Sequence, residues 1–170
     1  MENPMVELLL YQMDQAYADD EEHALLLNLR SVAPTEWRWK PEGSKRSIQQ
    51  IVAHVAACKY MYENATFGDG SMSWNRPPVN TFPQEADPEV SADDVMAWLD
   101  EAQQRLRASV SALRDDQLSE QRPLNWGGSG AIRWIVNAMI QHDLYHAGEI
   151  NHLRGLREGN DGWEWDQKGD

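Results

Sequence analysis

Apolar side chains recur along most of this chain at the three-to-four-residue spacing of helices. After Pro4, Met5, Leu9, Met13 and Tyr17 fall four apart, which gathers them on one helix face. A proline suits a first helical turn. The acidic run Asp19-Asp20-Glu21-Glu22 interrupts the stripe. Asp19 with Glu22 three positions on can cap a fresh start, so the first helix is either long or broken near residue 19. HALLLNLRSV continues the apolar pattern and stops before Pro34, and residues 33–46 read as a loop. Ser47 with Gln50 forms a capping-box pattern for a second helix, with Ile51, Val55, Cys58 and Tyr62 on one side and an end near Gly68. A long connection with four prolines leads to Ser91 and Asp94, which open a third helix carrying Val95, Leu99, Leu106, Val110 and Leu113. RPLNWGGSG, residues 122–130, reads as a glycine-rich turn; the fourth helix runs from about Ala131 to Arg157, and residues 158–170 form a polar tail.

No strand pattern emerges, so the expected fold is all-α, a four-helix bundle with one long crossover between its second and third helices. Its 170 residues suit a single domain over residues 1–170. Composition narrows function more than fold. The net charge of −13 repels phosphate backbones, and no basic stripe offsets it, so nucleic acid is not an expected partner. No apolar run reaches the length of a membrane span, and the N-terminus lacks the basic start of a signal peptide. The lone cysteine, Cys58, permits no intrachain disulfide. These features together predict a cytoplasmic protein.

The candidate chemistry lies in QHDLYHAGEINHLRGL, residues 141–156, which holds three of the five histidines. Positions four apart on a helix differ by roughly 40°, so His142 and His146 share the face that carries Ile135, Met139, Ile150 and Leu153. Buried imidazoles need partners for their nitrogens, and a divalent metal ion is one partner two neighbours can share. The plainer alternative is a pair hydrogen-bonded to backbone or carboxylates. His54 interrupts the apolar run IVAHVAAC on the second helix. Alone it reads as a satisfied core histidine; facing the other two, it completes a three-nitrogen set with open positions. Glu149 projects between His142 and His146 and is expected to orient a histidine rather than bind metal directly.

Two other motifs fail. HDLYH has Asp143 where the zinc-protease pattern needs its glutamate base. Glu149-x-x-His152 matches half of a di-iron pattern, with Asp20-x-x-His23 as a weak echo, but the second and third helices offer no inward glutamate by pattern. His152 lies roughly 80° around the helix from His142, so His152 and His23 are expected at the surface.

The stretches RSIQQIVAHVA, WGGSG and AIRWIVNAMIQHDLYHAGEINHLRGL together resemble the DinB-like (YfiT-like) superfamily of metalloenzymes over about residues 4–157. The resemblance implies a metal triad of His54, His142 and His146 and an up-down-down-up bundle, often dimeric. It also implies a zinc or nickel ion and a low-molecular-weight thiol as partner in S-transfer. Gly148 of YHAGEI is expected to let a neighbouring backbone approach.

An open metal position suits thiol activation, because a free thiol with a pKa of about 8.5 is mostly protonated at neutral pH. A metal-dependent hydrolase, or a metal-binding stress-response protein without catalysis, are the alternatives. Trp74 and Trp126 are candidate substrate contacts. Cys58 is expected to be a small hydrophobe more than a nucleophile. Stability contributed by the metal is expected to fade as pH falls through the ordinary histidine range near 6.5.

Overall fold

The computed structural model describes residues 2–20, 22–74, 90–160 and 162. The polar tail and most of the long crossover lie outside the described residues. With 65% of the described residues helical and little strand, the protein is all-α.

Helix α1 spans Pro4–Asp14, with the proline in its first turn. One π-helical turn follows, Gln15–Asp19, after which Asp20 is extended. The break near residue 19 is therefore present, but no side chain caps the next helix, whose N-cap is Ala24, and Asp20 instead closes the turn before it. Its Oδ1 accepts the backbone N–H groups of Glu22 at 2.8 Å and His23 at 2.7 Å. The apolar piece beyond it gives only a short helix, α2, Leu25–Leu29.

Helix α3 spans Ile48–Phe67 and opens with the capping box of Ser47 and Gln50. Helix α4, Ala92–Ser111, opens likewise with Ser91 and Asp94. Helix α5, Ile132–Glu158, ends at Gly159, whose φ of 74° is the left-handed conformation that glycine takes freely.

The turn region departs from expectation. Strands β1, Gln121–Pro123, and β2, Ser129–Ala131, pair antiparallel just before α5. Each is three residues long, too short to display the alternation that reveals a strand. Gly127 and Gly128, at φ 97° and 79°, turn the chain between them.

Two apolar clusters fill the interior. One joins α2, α3, the first half of α4 and the later part of α5 through residues such as Leu25, Ile51, Val55, Leu99 and Ile150. The other joins α1, the end of α4 and the start of α5 through Leu9, Met13, Leu106, Val110 and Met139. Polar contacts give the relative directions. Gln49 meets Val90, Lys59 meets Gln103 and Glu63 meets Ser109, so α3 and α4 ascend together. Arg46 meets Glu149 and Lys59 meets Asp143, so α5 runs back along α3. Among the described residues no helix is long and apolar enough to cross a membrane.

The fold also buries charge that periodicity did not reveal. Glu63 on α3 is buried, against the expectation of no inward glutamate. It is fully engaged by Arg105 Nε at 2.6 Å and Ser109 Oγ at 2.9 Å, so it supplies no free carboxylate for a di-iron site.

Candidate metal centre

His54 projects from the middle of α3, and His142 and His146 from one face of α5. The helices meet there because Ile51 and Val55 on α3 and Met139, Ala147 and Ile150 on α5 are all buried. The three rings converge, with centroids 5.3 Å apart for His54 and His142, 5.1 Å for His54 and His146, and 4.4 Å for the α5 pair. One nitrogen from each ring lies within 4.8 Å of the others.

The arrangement fits a metal ion on several counts. The Nε2 atoms of His142 and His146 are 3.2 Å apart. Tetrahedral zinc with nitrogens at about 2.0–2.1 Å spaces its ligands roughly 3.3–3.4 Å from one another. Glu149 Oε2 lies 2.7 Å from His146 Nδ1. A carboxylate only accepts, so Nδ1 holds the proton and Nε2 turns its lone pair toward His54 and His142. His142 Nδ1, away from the facing Nε2 atoms, is buried with no hydrogen-bond partner among the described residues.

All three imidazoles are held neutral. Burial, then the neighbouring His146 and His54, push His142 down to about 3. Burial, then His54 and Arg46, take His146 to about 3. Burial followed by Arg46 lowers His54, against an opposing pull from Glu149. Neutral imidazole is the form that coordinates metal. His146 is buried while His54 and His142 are half-buried, so the donor set borders solvent. Among the described residues no further histidine, cysteine or carboxylate joins the group.

The surroundings refine the expectations. Glu149 sits where a positioning partner of His146 belongs, and its other oxygen faces Arg46 Nη2 at 3.5 Å. Cys58 Sγ lies 3.6 Å from His54 Nε2, but burial pushes its thiol up to about 12, which leaves it a poor nucleophile. Asp143 is no general base: it is buried and paired with Lys59 Nζ at 2.6 Å, and Lys59 also donates to Gln103 at 2.8 Å. His23 and His152 are exposed. Trp126 packs edge-on against Tyr62 and Trp134, two helical turns along α3 from His54, and Trp74 is exposed. Gly148 corrects its expectation, since an added Cβ there would meet nothing within 4 Å and no backbone approaches.

Sequence reasoning missed Lys59, Asp143 as a core residue, and Arg46. The first two were detectable. Lys59 continues the Ile51–Val55 stripe by four, and Asp143 stands between Met139 and Ala147 in the same register. Arg46 carries no periodic signal, because it lies in the loop before α3.

Such a fold and such a cluster define a helical protein with a three-imidazole site able to hold a divalent metal ion. The chain belongs to the DinB superfamily, whose family profile matches residues 17–150. No curated protein matches it at a significant level.

Proposed function

We propose that the protein is a divalent-metal-dependent enzyme in which His54, His142 and His146 hold one zinc or nickel ion and a low-molecular-weight thiol is activated for S-transfer. The observation that carries this reading is the convergence of three neutral imidazoles, two of them half-buried, with no fourth protein ligand among the described residues. When bound, the ion supplies Lewis acidity, which lowers the pKa of a thiol or water at an open position. The chain's own residues do the rest. His54, His142 and His146 bind. Glu149 accepts the Nδ1–H of His146 and thereby aims its Nε2. Cys58 lies outside the converging donor set. A closed structural site would need a fourth ligand, and Glu149 is already turned to His146 and Arg46.

The same reading includes an up-down-down-up bundle, with residues 68–90 as the crossover. The parallel partners of α3 and α4 support it, as do the antiparallel contacts of Met5 and Val6 with Asp115 and of Asp14 with Arg107. A homodimer and a cytoplasmic location complete it.

Protein purified without a nickel column is expected to carry about one divalent ion per chain. His142→Ala is expected to lose stoichiometric metal, read by elemental analysis. A variant that keeps full metal content refutes the triad. A screen of the loaded protein with small thiols and electrophiles, run beside ester and amide substrates, separates S-transfer from hydrolysis.

A further inference from the structure

We propose that Arg46 docks a carboxylate on the thiol substrate of the three-histidine site, so that the preferred thiols are short mercapto-acids rather than neutral thiols. This rests on the metal-site reading above and adds the class of ligand.

Arg46 immediately precedes Ser47, the cap of α3, about 12 Å along the helix axis from His54. Its side chain reaches the site while staying about a third exposed to solvent. The guanidinium stands 3.5 Å from Glu149 Oε1, and Glu149 in turn holds His146 at 2.7 Å. Its charge acts on His54, His142, His146 and Cys58 alike, so it lies within electrostatic reach of the whole cluster.

Most of the other described arginines commit their guanidinium groups to oxygens of the protein. Arg105, Arg107, Arg122, Arg133 and Arg154 each donate to an oxygen of the protein. Among the described residues Arg46 donates no side-chain hydrogen bond, and its one ion pair is long and single-pronged. A planar fork of N–H donors beside a solvent-bordered donor set matches a carboxylate in two-pronged fashion.

Charge balance selects the same ligand. A divalent ion, Arg46 and Glu149 sum to two positive charges around neutral imidazoles. A mercapto-acid bound as thiolate and carboxylate brings two negative charges and cancels them. A neutral thiol leaves one positive charge uncompensated, whereas a thiol bearing a phosphate dianion would overshoot in a chain already at −13.

The plainer role for Arg46 is to steady Glu149, and the test separates the two. Cobalt(II)-loaded protein is titrated with mercaptoacetate and with 2-mercaptoethanol, following the thiolate-to-cobalt charge-transfer absorption. Wild type is expected to bind mercaptoacetate about tenfold more tightly, a difference of about 1.4 kcal/mol. In Arg46→Gln the ratio of the two affinities is expected to fall toward one with cobalt still bound. Arg46→Lys, which keeps the charge and loses the fork, is expected to fall between. No preference in wild type overturns the proposal. A preference that persists in Arg46→Gln also overturns it, because the carboxylate then sits on the metal. Parallel weakening of both thiols, with an unchanged ratio, assigns Arg46 to Glu149 alone. If wild type takes up no cobalt, the three-histidine reading fails and this inference falls with it.

Discussion

Gly148 lies in α5 two residues beyond His146, and nothing approaches within 4 Å of where its Cβ would be. Its backbone is helical without a positive φ, so the glycine is not needed for a turn. Glycine inside a helix costs roughly 0.5–1 kcal/mol relative to alanine. Gly148→Ala is therefore expected to raise stability by about that much, read as a higher midpoint in urea at constant slope. A destabilised variant would mean that the glycine makes room for something the folded chain must accommodate. Neighbouring positions carry opposite burdens. His146 is almost wholly enclosed, while Tyr145 beside it is 68% exposed and turns its ring edge-on to that imidazole.

At the scale of elements, the join between α3 and α5 is the one that matters for the site. Beside the three histidines it buries one charged pair, Lys59 and Asp143, in contact at 2.6 Å. Burial pushes the Asp143 carboxyl up, and Lys59 draws it back down. Removing one partner leaves the other charge stranded, which costs about 3–5 kcal/mol, whereas replacing both with apolar groups is often close to neutral. Lys59→Met is thus expected to lose roughly that much stability by chemical denaturation, and Lys59→Met with Asp143→Leu to recover most of it. Additive losses in the double variant would show that the two side chains do not act as a pair. Because Asp143 adjoins His142 in sequence, the same clamp sets how α5 presents its histidines to His54.

For the whole molecule, a metal ion on His54 and on the α5 pair ties together segments distant in sequence, so binding must add to global stability. The sequence alone placed the loss of that stabilisation near pH 6.5, and the structure moves it. A histidine whose folded pKa is depressed favours the neutral form. Its contribution to stability is fully present above the unfolded value near 6.5 and is lost as pH falls toward the folded value. With His142 and His146 at about 3, the metal-free protein should lose stability between about pH 6.5 and pH 3. Protons, however, compete with the metal only at the depressed folded values. The rise in melting temperature on adding zinc to metal-free protein is therefore expected to be similar at pH 7.5 and pH 5.5. A rise that vanishes by pH 5.5 would mean that the imidazoles titrate normally. The proposed dimer is checked separately, as a mass of two chains by light scattering at micromolar concentrations; a single-chain mass excludes it.

What the sequence determined by itself was local. The capping boxes at Ser47 and Ser91, the start at Pro4 and the helix carrying His142 and His146 all depend on residues within a turn of one another. Their physics is contained in spacing. His54 joined that pair because an isolated histidine in an apolar run must face another element. Tertiary structure decided the rest. The three-residue strands are stabilised by pairing with each other and carry no periodic signal of their own. Asp20 closes a turn, and no side chain caps the helix after it, because of the path of the backbone after a π-helical turn. Gly148 could be read as a site of close approach until its surroundings were known. The neutrality of the imidazoles arises from burial and from Arg46, which is remote in sequence from His142 and His146. The partnership of Lys59 with Asp143 exists only once α3 and α5 have packed. Burial and charge coupling depend on which distant groups share a volume, and a pattern read along one chain segment does not contain that information.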